Sequence, residues 1–216
     1  MVNFPVKFEI PHRGLKFLEY YSEHNVYHPG YDLNSGKGDE DEGNPIVFPA
    51  DGEIVYVAPV IPVPNPFGKT NGGFGNFIIT YHPEFGAYAR FAHMKTYAKG
   101  FNLNEKISAD EAAGTVGKTG SAKYAHLHFE MFNREMFEIQ NRHSFTFYPS
   151  GKSREWVTRY YLDGLAIIQK EMVEDKVETA LAWCKKNLPE SYWTDATENE
   201  AARFRALALR VKAWFV

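Results

Sequence analysis

Two histidines at alternate positions, His126 and His128, lie in the run KYAHLHFEMF, where apolar and polar residues alternate. Side chains of a β-strand alternate between its two faces, so both imidazoles should point the same way, together with Glu130. Neutral imidazole is the commonest metal ligand among side chains and also a general base. The pair therefore lies either on the solvated face of a sheet or in one half of a metal or catalytic site.

Three further residues could complete such a site. His28 and Asp32 are four positions apart in VYHPGYDLN, where an intervening proline and glycine disfavour a helix but allow an extended or turn conformation. That conformation could aim both side chains into one cavity. His93 ends a predicted strand in RFAHM, on the face that alternation assigns to Phe91 and Ala89.

The elements that must position these residues are strands. Four segments have strand-like composition and alternation: GEIVYVAPV (52–60), NFIITYH (76–82), AYARFAH (87–93) and HLHFEMF (126–132). The turn PEFG should join the second and third into a hairpin. We therefore predict a β-rich domain over residues 1–150.

Two loops interrupt this β-rich domain. Residues 35–45 are acidic and residues 59–75 are rich in proline and glycine, so neither fits an ordinary central strand. The acidic run GDEDEG lacks the spacing and the closing glutamate of an EF-hand, which favours a solvated loop. We expect both loops to wall a groove on the open face of the sheet.

The pattern changes after about residue 150. Residues 153–188 carry apolar side chains at near-helical spacing, and residues 197–215 open with Thr197 and Glu200, the pair that forms a capping box. We predict an α+β protein, an antiparallel sheet with an open groove plus a helical C-terminal region over residues 151–216. This region should begin its helices near residue 153 and pack on the β domain or on a partner.

Composition excludes several classes of protein. The formal charge of −3 over 216 residues gives no basic surface for nucleic acid, and no apolar run is long enough for a membrane-spanning helix. The N-terminal residues lack the pattern of a signal peptide, so we expect export by another route or a leader already removed. Cys184 is the only cysteine, so an internal disulfide cannot form. Its apolar neighbours in the sequence predict a small core residue.

A family resemblance emerges from the motifs together. HPGYD, FPADGEIVYV, GGFGNFIITYH, RFAHM, GTVGKTG and HLHFE follow the order and spacing of the lysostaphin-type (LytM-like) zinc metallopeptidases over about residues 26–132. Enzymes of that family cut peptide bonds in bacterial peptidoglycan. The resemblance therefore implies a peptidoglycan substrate, a Zn²⁺ cofactor and a location in the cell envelope or outside the cell.

The resemblance also assigns roles to the five residues. It implies that His28, Asp32 and His128 bind zinc, and that His93 and His126 are catalytic. Three protein ligands leave a fourth zinc position for water, as a catalytic site requires. Glu130 shares the strand face and is either a partner for an imidazole N–H or a surface carboxylate.

Departures from the family pattern concern specificity rather than the ligands. The residues before HLH are Tyr124 and Ala125 instead of a small-residue stretch ending in Gly-Pro, so Tyr124 is a candidate to line the substrate groove. The other four histidines, at positions 12, 24, 82 and 143, have no ligand-like partners nearby in sequence. The segment YPSGKS lacks the first glycine of a phosphate loop and is predicted to be a turn before a helix.

Two functions remain open from the sequence. The first is a zinc endopeptidase that hydrolyses peptide bonds of the cell wall. The second is a non-catalytic binding or activator protein on the same scaffold. Activators have typically lost ligands or catalytic histidines, and all five positions are filled here, so the sequence favours the enzyme.

Overall fold

The computed structural model of the protein describes residues 2–7, 14–36, 38–62 and 70–187. Within these ranges the chain forms antiparallel sheets and three α-helices, which confirms the predicted α+β class with a helical C-terminal region. The predicted capping box at Thr197 and Glu200 lies outside the described residues, as does the side chain of Cys184. Among the described residues, no helix is both long and apolar enough to cross a membrane.

Twelve strands are present in the described residues, most of them short. In chain order they are β1 (Tyr20–Tyr21), β2 (Val26–Tyr27), β3 (Tyr31–Leu33), β4 (Pro45–Val47), β5 (Gly52–Val57), β6 (Asn76–His82), β7 (Ala87–Met94), β8 (Thr96–Tyr97), β9 (Lys106–Ile107), β10 (Ala112–Thr115), β11 (Leu127–Phe132) and β12 (Tyr161–Leu162). The helices are α1 (Arg134–Arg142), α2 (Arg154–Tyr160) and α3 (Gly164–Asn187), with short 3-10 helices at Ser22–His24 and Asn71–Gly73.

The largest sheet contains seven of these strands, in the order β12-β11-β7-β6-β5-β9, with β3 beside β11. A second sheet has the order β4-β10-β8, and β1 pairs with β2. The predicted hairpin of β6 and β7 is present at the centre of the large sheet, closed by the pairing of His82 with Ala87. Strand β11 begins one residue later than predicted, because His126 forms an isolated bridge with Gly117 instead.

Strand β11 is paired along both of its edges. One edge pairs with β7 from His128 to Phe132. The other edge is divided: its first half pairs with β3, and its second half pairs with β12. Strand β11 therefore joins the early motif around β3 to the central hairpin and to the start of the C-terminal region.

The two faces of the large sheet bury different clusters. Phe91 and Phe129 pack together on one face, with ring centroids 5.4 Å apart, in a cluster that includes Leu165 and Ile168 of α3. The other face buries Tyr88, Phe132 and neighbouring residues against α1 and α2. The side chains that matter for the candidate site belong to this second face, at the end where β11 begins.

Helix α1 was not predicted from the sequence, which we interpreted as β-structure up to residue 150. Asn133 caps it by accepting a hydrogen bond from the Met136 backbone N–H at 2.9 Å, and Met136 and Gln140 supply its buried side. Helix α1 follows β11 almost directly, and few of its side chains are buried. The strong alternation of apolar and polar residues in β11 therefore led us to extend the β-structure over α1.

Helix α2 begins at Arg154, as predicted, after Ser153 accepts the Trp156 N–H at 3.1 Å. The region contains more than one helix, as expected, but the short strand β12 at Tyr161–Leu162, which separates α2 from α3, was not predicted. Those two residues pair with Phe132 and Met131 of β11. Backbone pairing with the free edge of β11 therefore outweighs the helical spacing at this point. The division of the chain at residue 150 stays a prediction.

Candidate metal centre

Three of the predicted site residues converge on one point. His28, Asp32 and His128 each offer one atom, and these atoms lie within 4.8 Å of one another. Oδ1 of Asp32 is 2.9 Å from Nδ1 of His128 and 3.3 Å from Nε2 of His28, and the two nitrogens are 3.2 Å apart. Two nitrogens and one oxygen form a donor set that suits zinc.

Gly30 explains how the short HPGYD motif reaches this point. Strand β3 pairs with β11 so that Asp32 lies opposite His128. A Cβ on Gly30 would lie 2.2 Å from the backbone oxygen of Phe129, well inside any real contact. The glycine is therefore required because the chain between His28 and Asp32 passes directly against β11.

His28 and His128 each have one ring nitrogen held by a hydrogen bond, and this leaves the other nitrogen facing the cluster. Nδ1 of His28 lies 2.8 Å from the carbonyl oxygen of Gly30, which can only accept, so Nε2 carries the lone pair. Nε2 of His128 lies 3.1 Å from Oε2 of Glu130, which leaves Nδ1 to face Asp32 and His28. The three candidate ligand atoms are therefore directed at one another before any metal binds.

Glu130 is fully buried, so the alternative of a surface carboxylate is wrong. Burial raises the pKa of its carboxyl, but the Arg90 guanidinium and the hydrogen bond from His128 outweigh burial and hold that pKa below its usual range. Glu130 is therefore ionised where it meets His128. Its charge faces the ring nitrogen opposite the candidate metal-binding nitrogen.

Asp32 and the histidines around it shift one another's ionisation. Burial raises the pKa of the Asp32 carboxyl, but His28, His126 and the hydrogen bond from His128 together hold it well below its usual range. Burial lowers the pKa of His128, whereas hydrogen bonds to Asp32 and Glu130 raise it, with a net result of about 9. Metal binding here therefore requires loss of the Nδ1 proton of His128.

His126 lies beside this cluster with a free ring nitrogen directed at it. Its Nδ1 is 2.9 Å from the carbonyl oxygen of Tyr124, so Nδ1 carries the proton and Nε2 the lone pair in the neutral ring. Nε2 lies 3.5 Å from Oδ1 of Asp32. The ring is partly exposed, so both water and a substrate can reach it.

His93 reaches the same place by an unexpected route. Residues Ala89 and Phe91 share the face of Phe129, which is opposite to the face of His128. Simple alternation would leave His93 on that wrong face, but the pairing of β6 and β7 shifts register next to it. The backbone of His93 has a φ of 61°, in the left-handed region that non-glycine residues rarely adopt.

The register shift is a β-bulge in β7, and it turns the side chain of His93 towards the other histidines. The predicted face of that side chain was therefore wrong. Its ring centroid lies 4.8 Å from that of His126 and 5.9 Å from that of His128. Nδ1 of His93 lies 2.8 Å from the carbonyl oxygen of Thr119, which leaves Nε2 with the lone pair. Burial, with the nearby imidazoles, holds the pKa of His93 well below its usual range, so the ring is neutral.

The acidic loop supports the segment before His126. Oδ1 of Asp39 accepts the Ala125 backbone N–H at 3.0 Å, and the other oxygen binds the Lys118 ammonium. Asp41 is buried and accepts hydrogen bonds from Ser35 within the same loop. The loop is thus tied to the protein at these residues while Asp39 and Glu40 remain exposed, as expected of a solvated loop, and residue 37 lies outside the described residues.

The sequence around these residues matches a known protein family. Residues 26–139 match the model of peptidase family M23, and this range is more than half of the 216 residues. The chain belongs to peptidase family M23. The resemblance to lysostaphin-type peptidases that the motifs indicated is therefore confirmed.

The chain is similar to a bacterial cell division protein over part of its length. It is 31% identical over 90 residues to the cell division protein DipM of Caulobacter vibrioides, a match that covers 42% of this chain and 13% of that protein. The chain therefore spans a small part of the length of that relative.

Solved structures of family M23 also match. The catalytic domain of the antimicrobial peptidase lysostaphin from Staphylococcus simulans is 18% identical with a TM-score of 0.47, over 72% of this chain and 90% of that one. The catalytic domain of the prophage-encoded M23 protein EnpA from Enterococcus faecalis is 18% identical with a TM-score of 0.44, over 61% and 88% of the two chains.

The remaining candidate residues are Tyr124 and the four histidines outside the cluster. The side chain of Tyr124 is 51% exposed, and its contribution to a substrate groove stays a prediction. His82 is buried between Thr80 and the Asp51 carbonyl, far in the sheet from the cluster, as a structural residue would be. His24 and His143 are exposed, and His12 lies outside the described residues.

Proposed function

We propose that this protein is a zinc-dependent endopeptidase that hydrolyses peptide bonds of bacterial peptidoglycan. The observation that carries the proposal is the convergence of all five predicted residues: His28, Asp32 and His128 as ligands, with His93 and His126 beside them. Membership of a peptidase family supports the reaction, and the resemblance to lysostaphin-type enzymes supports the cell-wall substrate. It follows that the protein would act in the cell envelope or outside the cell.

The donor atoms fit zinc in number, kind and spacing. Ligand atoms around a tetrahedral zinc with bonds of about 2.0–2.1 Å stand about 3.3–3.4 Å apart. The three separations between His28, Asp32 and His128 are 2.9, 3.2 and 3.3 Å, so a small movement of one side chain would satisfy the geometry. Zinc bound there would polarise the scissile carbonyl and lower the pKa of a water molecule in the open fourth position.

The chain's own residues would handle the proton. Nε2 of His126 carries a lone pair near Asp32, so it can accept a hydrogen bond from the attacking water and take its proton. Nε2 of neutral His93, left with its lone pair by the Nδ1 contact to Thr119, would orient the same water. Once protonated, either imidazole can donate to the oxyanion or return the proton to the leaving amine.

The second candidate is a binding or activator protein that uses this scaffold without catalysis. The match to a cell division protein, DipM, is the observation that favours it. The intact set of five residues favours the enzyme, because a protein that only binds would need neither a poised His126 nor a strained His93.

Digestion of purified peptidoglycan separates these candidates and identifies the bond. Zinc-loaded protein is incubated with peptidoglycans of different cross-bridge type, and the fragments are analysed by mass spectrometry. We expect new amine and carboxyl ends in one type, absent with the zinc-loaded His126→Ala variant. Binding to wall fragments without cleavage of any peptidoglycan or glycine-rich peptide would establish the second candidate.

A further inference from the structure

Arg90 is completely buried beneath the metal centre. Its Nη1 lies 2.9 Å from Oε1 of Glu130 in an ion pair whose two side chains are both 0% exposed. Burying two charges costs desolvation energy, and a well-packed apolar pair of similar volume is often as stable. The stability of the fold alone is therefore a weak reason for an ion pair at this position.

The contacts of Glu130 suggest a different reason. One of its oxygens faces Arg90, and the other accepts from Nε2 of His128 at 3.1 Å. Nδ1 of His128 is the atom that faces Asp32 at 2.9 Å. The contact with Arg90 is an ion pair without hydrogen-bond geometry, so the guanidinium would set the rotation of the carboxylate, and with it the direction of the imidazole, through its charge and position.

Arg90 is itself fixed by groups on several sides. Its Nη2 donates to the carbonyl oxygen of Phe145 at 3.2 Å, and its guanidinium carbon lies 3.9 Å from the centre of the Phe74 ring. The Phe74 ring also lies 5.9 Å from the ring of His128. Phe145 lies beyond the residues that match the family model, which end at 139. A segment outside the matched region therefore helps to hold the guanidinium.

We propose that Arg90 is a positioning residue of the metal centre. Through Glu130 it holds the Nε2–H of His128, and thereby keeps Nδ1 directed at the metal. The inference rests on the proposed function only in that the site binds zinc, and its test requires no turnover.

The test measures zinc affinity by competition with a chelator for three variants. Arg90→Met leaves Glu130 buried without its partner, and the zinc dissociation constant should rise about 10–100-fold, the usual effect of losing an outer partner of a ligand. Arg90→Lys keeps the charge without the planar fork and should show a smaller rise. The double variant Arg90→Met/Glu130→Gln, which has a neutral pair, should recover part of the loss.

Two controls separate positioning from a general loss of structure. Arg134→Met removes an exposed arginine paired with Glu138 and should leave zinc affinity unchanged. In ¹⁵N NMR spectra of zinc-loaded protein, the ring signals of His128 should move in Arg90→Lys. Those of His28, whose Nδ1 donates to Gly30, should stay in place.

The zinc affinities and the NMR signals together decide whether Arg90 positions His128. Zinc affinity within threefold of wild type in both single variants would overturn the proposal, as would equal shifts of the His28 and His128 signals. If Arg90→Met does not fold, Arg90→Lys decides by the same threefold limit. Wild-type protein that binds zinc but cuts nothing contradicts only the proposed hydrolysis, whereas unchanged zinc affinity in the variants contradicts only the role of Arg90.

Discussion

His93 and His126 face each other beside the candidate metal ligands, with ring centroids 4.8 Å apart. Both donate Nδ1–H to a backbone carbonyl, of Thr119 and Tyr124 respectively, so both present an unprotonated Nε2 when neutral. Neither residue belongs to the three-residue ligand cluster. Two imidazoles of this kind are suited to move a proton without holding the metal.

Replacing either His93 or His126 by alanine should therefore leave zinc bound while turnover falls about 10²–10⁴-fold, the usual contribution of a positioned acid–base group. His128→Ala is the matched comparison, because it removes a ligand and should lower zinc content together with activity. Zinc content and hydrolysis rate are measured side by side for the three variants. Full activity in His126→Ala would disprove the division of labour between His126 and His128.

Gly30→Ala should weaken zinc binding although Gly30 is not a ligand. The added Cβ would meet the backbone oxygen of Phe129 at 2.2 Å and push β3, with Asp32, away from β11. We expect the zinc dissociation constant to rise at least tenfold, the scale seen when support of a ligand is lost. Gly100→Ala, where nothing lies within 4 Å of an added Cβ, is the control and should bind zinc as wild type does.

Asp39→Ala should lower turnover and spare zinc. Loss of the hydrogen bond to the Ala125 N–H loosens the segment that carries His126, whereas the ligands are held by other contacts. A hydrogen bond worth about 1 kcal/mol corresponds to about a fivefold fall in rate. Glu53→Ala, which removes a surface ion pair with Lys106, is the control. Equal effects of the two variants on turnover would contradict the support of His126 by Asp39.

His82 should make the protein less stable in mild acid. Burial lowers the pKa of His82 from 6.5 to about 4 in the folded protein. The folded state then binds fewer protons than the unfolded state, so the contribution of His82 is complete above pH 6.5 and is lost as the pH falls toward 4. Between these limits the free energy of unfolding should fall by about 3 kcal/mol on account of this residue.

Urea unfolding between pH 4 and 7 tests this prediction about His82. His82→Gln should flatten the dependence of the free energy of unfolding on pH. His24→Gln, on an exposed 3-10 helix, should keep the wild-type dependence. Parallel curves for wild type and His82→Gln would show that the buried imidazole does not couple folding to pH.

The residue types and their order were enough to predict the fold class and to name the residues that meet at the site. Glycine in HPGYD and alternation in HLHFE are local signals, and they allow Asp32 and His128 to lie on paired strands with His28 in the segment just before. The partnership of Arg90 with Glu130 could not be read in the same way. It depends on the register between β7 and β11, which pairs residues 40 positions apart.

The conformation of His93 was also hidden from the sequence. A left-handed backbone is most reliably marked by glycine, and a histidine inside a predicted strand is too weak a signal to indicate one, although histidine adopts this region more often than most residues. The break between α2 and α3 was hidden for a related reason. The helical spacing of the apolar residues on either side of Tyr161 and Leu162 gave no sign of a strand, which forms because these two residues pair with the second half of the β11 edge.

The divided edge of β11 has a consequence for how the protein matures. His28 and His128 are 100 residues apart in the chain, so β3 is synthesised long before the strand that it pairs with. Contacts that close such long loops form late in folding, because they cost much entropy before they give any stabilisation. A growing chain therefore cannot assemble the centre until β11 has emerged, and β12 follows later still to cover the rest of that edge. The topology delays any hydrolytic activity until nearly the whole sheet has been made.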